Sequence, residues 1–267
     1  MSSENNYSIP GHCRILLVDD VEMNQLLARK MIEGWGVQVD IAENGKVAVE
    51  KVQNHTFDLV LMDIQMPEMD GLEATRRIRN LSDTTKSSIP IVALTANIVN
   101  GDGAKYIAAG MNAYLPKPFD EPKLYQIISE NLKTGDMPGK SLPVEAPAIP
   151  VFNEKLYDLA MVKTISGGDT NFVKRMVQIF IDTMPPSVEQ LRKELQQQNW
   201  DALSKQAHKM KSTIDSMGIV RLKEVIRAIE SGGRDKQDLE SLPALVQQVA
   251  DILSACIRQL KREFELG

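Results

Sequence analysis

Aspartate residues follow two strand-like runs in the first half of the chain. Asp63 follows the apolar residues 59–62, and Asp19 and Asp20 follow the strand pattern of residues 14–18. Short apolar runs bounded by turn residues are typical of strands buried in a parallel sheet. Because parallel strands present their carboxyl ends at one edge of the sheet, we expect the three carboxylates to meet there.

Three like charges at one edge would disfavour one another's ionisation. A divalent cation would relieve that repulsion, and oxygen ligands at this charge density suit Mg²⁺. Taken alone, Asp19 and Asp20 could equally cap the following helix, since acidic residues are favoured at helix N-termini. The second acidic strand end, at Asp63, favours a magnesium site.

Two more polar residues end predicted strands in the same segment. Thr95 follows residues 89–94, and Lys117 follows the short strand pattern of residues 113–115. A hydroxyl and an ammonium group beside a carboxylate suit a tetrahedral anion, because the lysine neutralises one phosphoryl oxygen and the threonine donates to another. Taken alone, Thr95 would be interpreted as a helix cap and Lys117 as a surface lysine. Their joint placement predicts a phosphoryl site.

The elements that must position these residues alternate along residues 14–133. Five strand patterns alternate with five helix patterns, which predicts a five-stranded, doubly wound parallel sheet in an α/β domain. Residues 1–13 are predicted to be a preceding tail. Residues 134–153 are rich in proline without apolar periodicity, which predicts a linker. Residues 154–267 show only helical periodicity, which predicts an all-α four-helix bundle.

Two local features bound the helices predicted in this second segment. Pro185 and Pro186 are expected to interrupt one helix, with Pro186 near a fresh first turn. Gly232 and Gly233 are expected to close another helix, which runs from about residue 220 to 229.

His208 stands among lysines on a predicted helix of the same segment. Lys205 and Lys211 lie three residues to either side of it and share its face. Nearby ammonium groups favour a neutral imidazole, so His208 is expected to be nucleophilic at pH 7, and the same cations would stabilise an added phosphoryl group. On spacing alone, the favoured interpretation is a solvated helix face with an incidental histidine.

Composition limits the classes of function. The 267 residues carry a net charge of −5, and neither half is basic enough to indicate nucleic acid as a partner. No stretch of apolar residues is long enough to span a membrane, and the N-terminal residues lack the apolar core of a signal peptide. Cys13 and Cys256 form no metal-binding spacing. A cytoplasmic location is expected.

Residues 14–133 resemble a response-regulator receiver domain over their full length. The resemblance rests on motifs that occur in the family's order: Asp19-Asp20, Asp63 with Met66-Pro67 and Asp70-Gly71, Thr95-Ala96, and Lys117-Pro118-Phe119. It implies a flavodoxin-like fold in which Asp63 accepts a phosphoryl group from a phosphohistidine.

The resemblance also implies roles for the residues around Asp63. Thr95 and Lys117 would contact the phosphoryl oxygens, Tyr114 would be the aromatic switch, and the peptide between Lys117 and Pro118 would be cis. The implied magnesium ligands are carboxylates and one backbone carbonyl: Asp20 and Asp63 directly, Asp19 through water, and the carbonyl of Gln65.

Residues 154 to about 260 resemble a histidine phosphotransfer domain. The motif is Ala207-His208-Lys209-Met210-Lys211-Ser212, followed by Gly218 and preceded by Gly168-Asp169 and Phe172. The sequence departs from the family at Ser212, where glycine is usual. The resemblance implies that His208 carries a phosphoryl group beside Lys211.

Together the two resemblances predict phosphorelay signalling through Asp63 and His208, with Mg²⁺ as the cofactor. The expected partners are a histidine kinase and other receiver or phosphotransfer proteins. The same domain order occurs at the C-terminal end of hybrid sensor histidine kinases, so the chain could be such a fragment. It contains no ATP-binding boxes and is not expected to be an ATP-dependent kinase itself.

Alternatives from other classes stay open. The receiver could regulate docking of the helical half while His208 is silent. A Mg²⁺-dependent phosphohydrolase could use Asp63 as its nucleophile, but Gln65 stands where a general acid would be needed. A DNA-binding regulator is a further alternative, although no basic recognition helix stands out.

Overall fold

A computed structural model of the chain describes Tyr7, Ile9 and residues 12–95, 102–133 and 155–266. The chain divides into two compact units, Met1–Ala146 and Pro147–Gly267. The predicted linker, residues 134–153, lies outside the described residues, and its boundaries stay a prediction.

The first unit is built on a parallel sheet of five strands with the order β2-β1-β3-β4-β5. The strands are β1 (Arg14–Val18), β2 (Gln38–Ala42), β3 (Leu59–Asp63), β4 (Ile91–Thr95) and β5 (Ala113–Pro116). Val18 of β1 pairs with Met62 of β3, so Asp19 and Asp63 follow on neighbouring strands. The predicted α/β fold with a parallel sheet is confirmed.

Helices connect these strands and cover the sheet. They are α1 (Glu22–Glu33), α2 (Gly45–Asn54), α3 (Gly71–Arg79), α4 (Thr84–Ser87), α5 (Asp102–Ala108) and α6 (Glu121–Lys133). Leu16 and Val60 pack with Val52 and Ile78 in one apolar cluster. Residues that alternate with these along the strands, such as Leu17, are equally buried, because helices lie on both faces. The short α4 was not predicted, since four residues give no helical periodicity.

The second unit is all-α, as predicted. Its helices are α7 (Ala160–Ser166), α8 (Thr170–Gln196), α9 (Trp200–Ser216), α10 (Val220–Asp235) and α11 (Leu242–Phe264). The four long helices, α8 to α11, bury apolar stripes against one another. A buried residue from each stripe, in the order of the helices, is Phe180, Ile214, Ile226 and Leu253.

The predicted interruption at Pro185 and Pro186 is wrong. Helix α8 runs unbroken for 27 residues through both prolines. Both prolines are exposed, and the buried stripe continues on either side of them through Met184 and Val188. The helix therefore keeps its core packing on one face, while both prolines lie on the face open to water.

The predicted helix end at Gly232 and Gly233 is also wrong. Helix α10 continues to Asp235 and ends at Lys236 in a left-handed conformation. Both glycines are buried inside the helix. A Cβ atom on Gly233 would lie 2.7 Å from the carbonyl oxygen of Trp200, the first residue of α9. The glycine therefore permits close packing of two helices rather than ending one.

The two cysteines are free and buried in different units. Burial, with a further effect of Asp58, raises the pKa of Cys13 to about 11. Burial also raises the pKa of Cys256 to about 12. Among the described residues, none of the helices has the length and apolarity needed to cross a bilayer.

Candidate functional site

Three carboxylates meet at the carboxyl edge of the sheet. Asp19 and Asp20 follow β1, Asp63 ends β3, and one oxygen atom from each lies within 4.8 Å of the others. Asp19 is 1% exposed and Asp63 is 5% exposed. Carboxylates this deeply buried need cationic or hydrogen-bonding partners.

Lys117 is the cation at this edge. Its Nζ lies 2.5 Å from Asp19 Oδ2 and 2.7 Å from Asp63 Oδ2. Its backbone N–H donates to the carbonyl oxygen of Thr95 at 2.6 Å, and the peptide between Lys117 and Pro118 is cis. Burial alone would lower the pKa of Lys117, but Asp19 and Asp63 outweigh that effect and raise it above its usual range. The lysine therefore stays charged between the two carboxylates.

Asp19 is held by protein hydrogen bonds as well. The backbone N–H of Val21 donates to its Oδ1 at 2.9 Å. The side-chain amide of Asn24 lies 3.1 Å from Oδ1 and 3.3 Å from Oδ2. Both oxygens of Asp19 accept hydrogen bonds, so this carboxylate is held in a fixed orientation at the edge of the sheet.

The donor set of this edge fits Mg²⁺. The cluster consists of carboxylate oxygens, which are hard ligands of the kind that Mg²⁺ prefers. Gln65 lies beside it, since its backbone N–H is 3.3 Å from Asp63 Oδ1. The residues predicted as ligands are thus brought together, while their metal-binding role stays a prediction.

The loop after Asp63 is fixed by a close approach. A Cβ atom on Gly71, the first residue of α3, would lie 2.1 Å from the backbone oxygen of Asp63. The N–H of Gly71 donates to the carbonyl of Ile64 at 2.9 Å, and Asp70 caps α3 by accepting from Glu73 N at 2.8 Å. The Asp70-Gly71 pair therefore seats α3 directly on the backbone of Asp63.

Thr95 ends β4 at the same edge and has an unforeseen partner. Its Oγ1 lies 3.1 Å from the phenol oxygen of Tyr106, which α5 provides. Both residues are buried. The ring of Tyr114, the predicted switch, packs edge-on against Tyr106 with 5.9 Å between ring centroids. The switch role of Tyr114 stays a prediction.

His208 and Lys211 meet at one carboxylate in the helical unit. The Nδ1 of His208 lies 2.6 Å from Glu230 Oε1, and the Nζ of Lys211 lies 2.6 Å from Glu230 Oε2. Ser204 Oγ donates to the backbone carbonyl of Glu230 at 2.8 Å. Glu230 stands on α10 while the others stand on α9, so the site depends on the packing of these two helices.

Glu230 is ionised at neutral pH. Burial raises the pKa of Glu230, but hydrogen bonds from His208 and Lys211 outweigh burial and lower it to about 2. A carboxylate only accepts hydrogen bonds, so the Nδ1 of His208 must donate. In the neutral imidazole the lone pair is then on Nε2, which is the tautomer that a nucleophile needs.

Sequence reasoning missed Glu230 and Tyr106. A signal for Glu230 was present, because it lies four residues after the buried Ile226 and next to the buried Ile229 on the apolar stripe of α10. A charged residue on such a stripe needs a partner. The signal for Tyr106 was weaker, since an aromatic residue on an amphipathic helix is ordinary core.

Family models match both units. Residues 15–129 match the response regulator receiver domain. Residues 175–262 match the Hpt domain. The chain carries a receiver domain followed by an Hpt domain.

Curated relatives of the chain include a histidine-protein kinase and a sensor protein. The signal transduction histidine-protein kinase BarA of Escherichia coli is 29% identical over 229 residues, which cover 85% of this chain and 25% of BarA. The aerobic respiration control sensor protein ArcB of Escherichia coli is 32% identical over 229 residues, which cover 85% of this chain and 29% of ArcB. The chain therefore spans less than a third of the length of these relatives.

A solved structure resembles the receiver domain alone. It is the receiver domain of the sensor histidine kinase PA1611 from Pseudomonas aeruginosa PAO1, with a magnesium ion coordinated in its active-site cleft. It is 36% identical, covers 46% of this chain and 100% of its own, and has a TM-score of 0.43.

Proposed function

We propose that the chain is a phosphorelay protein in which Asp63 accepts a phosphoryl group and His208 carries one to or from a receiver aspartate. The observation that carries this proposal is that each acceptor lies in a site with a buried, charge-matched lysine. Lys117 contacts Asp63 directly, and Lys211 shares Glu230 with His208.

At the receiver site, an oxygen of Asp63 attacks the phosphorus of a phosphohistidine. The new O–P bond replaces the N–P bond, and the imidazole leaves. Lys117 neutralises one phosphoryl oxygen and Thr95 donates to another. Mg²⁺, bound by Asp20, Asp63 and the carbonyl of Gln65, with Asp19 through water, would supply positive charge against the repulsion between carboxylates and phosphoryl group. We propose these residues as the site.

At the Hpt site, the Nε2 of His208 attacks the phosphorus of an acyl phosphate, and the aspartate carboxylate leaves. The ring becomes positively charged as the N–P bond forms. Glu230 accepts a hydrogen bond from Nδ1 and stabilises that charge, while Lys211 keeps Glu230 ionised and oriented. Glu230 is thus a positioning residue for His208.

The partners follow from this chemistry. One relative is a signal transduction histidine-protein kinase and another is a sensor protein, so the proposed phosphoryl donor is a histidine kinase, on the same polypeptide or a separate one. The proposed acceptors are other receiver or Hpt proteins, in the cytoplasm. The proposed boundaries are a tail of residues 1–13, a receiver of 14–133, a linker of 134–153 and an Hpt domain of 154–267.

The test is to load the full chain from acetyl phosphate or a phosphorylated kinase in Mg²⁺. Acyl phosphate is base-labile and phosphohistidine is acid-labile, so the label reports its own site. We expect base-labile label on Asp63 that Asp63→Asn abolishes, and acid-labile label on His208 that His208→Gln abolishes. Asp83→Asn and His55→Gln, at exposed positions, are the matched controls.

Each outcome distinguishes the alternatives. Acid-labile label that also disappears in Asp63→Asn means that the relay runs through both domains of this chain. Label confined to Asp63, whatever receiver protein is added, would make the bundle a docking module with a silent His208. A wild-type chain that takes no label at either residue would overturn the proposed function.

A further inference from the structure

The hydroxyl pair of Thr95 and Tyr106 is a polar contact in the apolar interior of the receiver. Thr95 is 5% exposed and Tyr106 is 7% exposed. Their oxygen atoms lie 3.1 Å apart, and either atom could be the donor in this state. Thr95 belongs to β4 and Tyr106 to α5, so the pair joins the end of a strand to the helix that follows it.

Hydrogen-bond counting fixes the direction of this bond once a phosphoryl group is present. A hydroxyl group has a single proton to donate and two lone pairs to accept with. Phosphoryl oxygens only accept, so Thr95 must donate its proton to the phosphoryl oxygen. The bond between Thr95 and Tyr106 then survives only if the phenol of Tyr106 donates to Thr95 Oγ1.

We propose that Tyr106 is a positioning residue for phosphorylation of Asp63 and that it acts through Thr95. The inference rests on the proposed function, since it requires a phosphoryl group on Asp63. Tyr106 donates to the Thr95 hydroxyl, which directs the threonine proton towards the phosphoryl site. A chain of two hydrogen bonds polarises each member, so the phenol strengthens the bond that Thr95 makes to the phosphoryl oxygen.

The neighbours of Tyr106 hold its ring in place for this role. The ring of Tyr114 packs against it at 60° between ring planes. A Cβ atom on Gly103 would lie 3.0 Å from the Tyr114 ring, which shows how closely α5 lies on β5. Tyr114 therefore contacts the ring of Tyr106, while the phenol oxygen of Tyr106 faces Thr95.

The test is a double-mutant cycle on the rate at which acetyl phosphate labels Asp63 in Mg²⁺. The full chain is compared with Tyr106→Phe, Thr95→Val and the double variant. Phenylalanine keeps the ring and valine keeps the shape of threonine, so each change removes only a hydroxyl group. Urea unfolding of every variant checks that the fold is retained.

We expect Tyr106→Phe to slow labelling by roughly three- to tenfold, the effect of about one hydrogen bond. Thr95→Val should slow labelling further, and adding Tyr106→Phe to it should change nothing more, because the phenol acts only through the threonine. Thr95→Ser keeps a hydroxyl group and should restore the dependence on Tyr106. Tyr114→Phe removes a hydroxyl group next to an intact Thr95–Tyr106 pair. Its effect on the labelling rate should be the same in the wild type, in Tyr106→Phe and in Thr95→Val.

Additive effects of Tyr106→Phe and Thr95→Val would overturn the inference and leave the proposed function standing. An effect of Tyr114→Phe that vanishes in Thr95→Val, with none for Tyr106→Phe, would also overturn it and assign the position to Tyr114. If wild-type Asp63 takes no label, the proposed function fails, and this inference fails with it.

Discussion

The two candidate sites place a buried lysine differently relative to the acceptor. At the sheet edge, Lys117 contacts Asp63 itself, and in the bundle Lys211 contacts Glu230, which also binds His208. A carboxylate acceptor is charged and needs a cation beside it. A neutral imidazole instead needs an acceptor that fixes the position of its proton. The lysine of the bundle therefore stabilises the orienting carboxylate rather than the nucleophile.

Removing each lysine tests this contrast most strongly. Lys117→Ala should slow labelling of Asp63 a hundredfold or more, because loss of a charged group at a site of developing charge has effects of about that size. Lys211→Ala should slow phosphoryl transfer at His208 by roughly tenfold, since residues that act through a ligating or reacting group have smaller effects.

The measurement is the single-turnover rate of each step, with Lys46→Ala and Lys174→Ala as exposed controls. Equal losses at the two sites would contradict the contrast, because they would mean that Lys211 also acts directly on the transferred group.

Glu230, the carboxylate shared by His208 and Lys211, should make the free energy of unfolding depend on pH. The variant Glu230→Gln should lack this contribution. The folded-state pKa of Glu230 is about 2, below its ordinary value of 4.5. A depressed pKa means that ionised Glu230 stabilises the folded state above pH 4.5, and that this contribution is lost as pH falls towards 2. Its size is on the order of 3 kcal/mol.

Urea unfolding between pH 6 and pH 2.5 is the check. The difference in free energy of unfolding between wild type and Glu230→Gln should shrink as the pH falls, since other carboxyl groups titrate equally in both proteins. A difference that stays constant over this range would show that Glu230 is not the titrating group.

Each site also contains a glycine at which an added Cβ atom would collide with neighbouring backbone. Substitution of these two glycines is the third test. Alanine at Gly71 would place its Cβ against the backbone of Asp63, and alanine at Gly233 would place it against Trp200 on α9. Each substitution should lower the free energy of unfolding by about 1–3 kcal/mol through overpacking. Gly71→Ala should also slow labelling of Asp63, and Gly233→Ala should slow transfer at His208.

Gly36→Ala and Gly167→Ala are the controls, because a Cβ atom there meets nothing within 4 Å and only the left-handed backbone is strained. Gly71 and Gly233 are not among the glycines with a left-handed backbone, so the controls measure the cost of strain alone. Unchanged stability of Gly71→Ala or Gly233→Ala would contradict the expected overpacking.

The receiver was the more predictable unit because its site residues sit at the ends of strands. Asp63, Thr95 and Lys117 each follow a short apolar run, and a parallel sheet brings such ends together whatever the helices do. The edge that carries the carboxylates could thus be predicted from local patterns, whereas those patterns do not give the order of the strands. The individual roles of these residues were predicted from the resemblance to the receiver family.

The bundle was less predictable because its site lies between helices. His208 and Lys211 were found on one helix, but their common partner Glu230 is on another, and helical periodicity does not specify which faces meet. Gly233 was misinterpreted for the same reason, since only the approach of α9 explains a glycine there. The effect of Pro185 and Pro186 was misinterpreted because the sequence does not show which face of α8 packs on the core. Both prolines lie on the exposed face.

The burial of both native thiols makes the chain suited to distance measurements by site-specific spectroscopic labelling. Cys13 and Cys256 are buried, one in each unit, and their raised pKa values keep them protonated near neutral pH. Maleimide reagents attack the thiolate form, so they should pass over both residues in the folded protein. One new cysteine at an exposed position in each unit would therefore carry a donor and an acceptor dye without removal of the native pair.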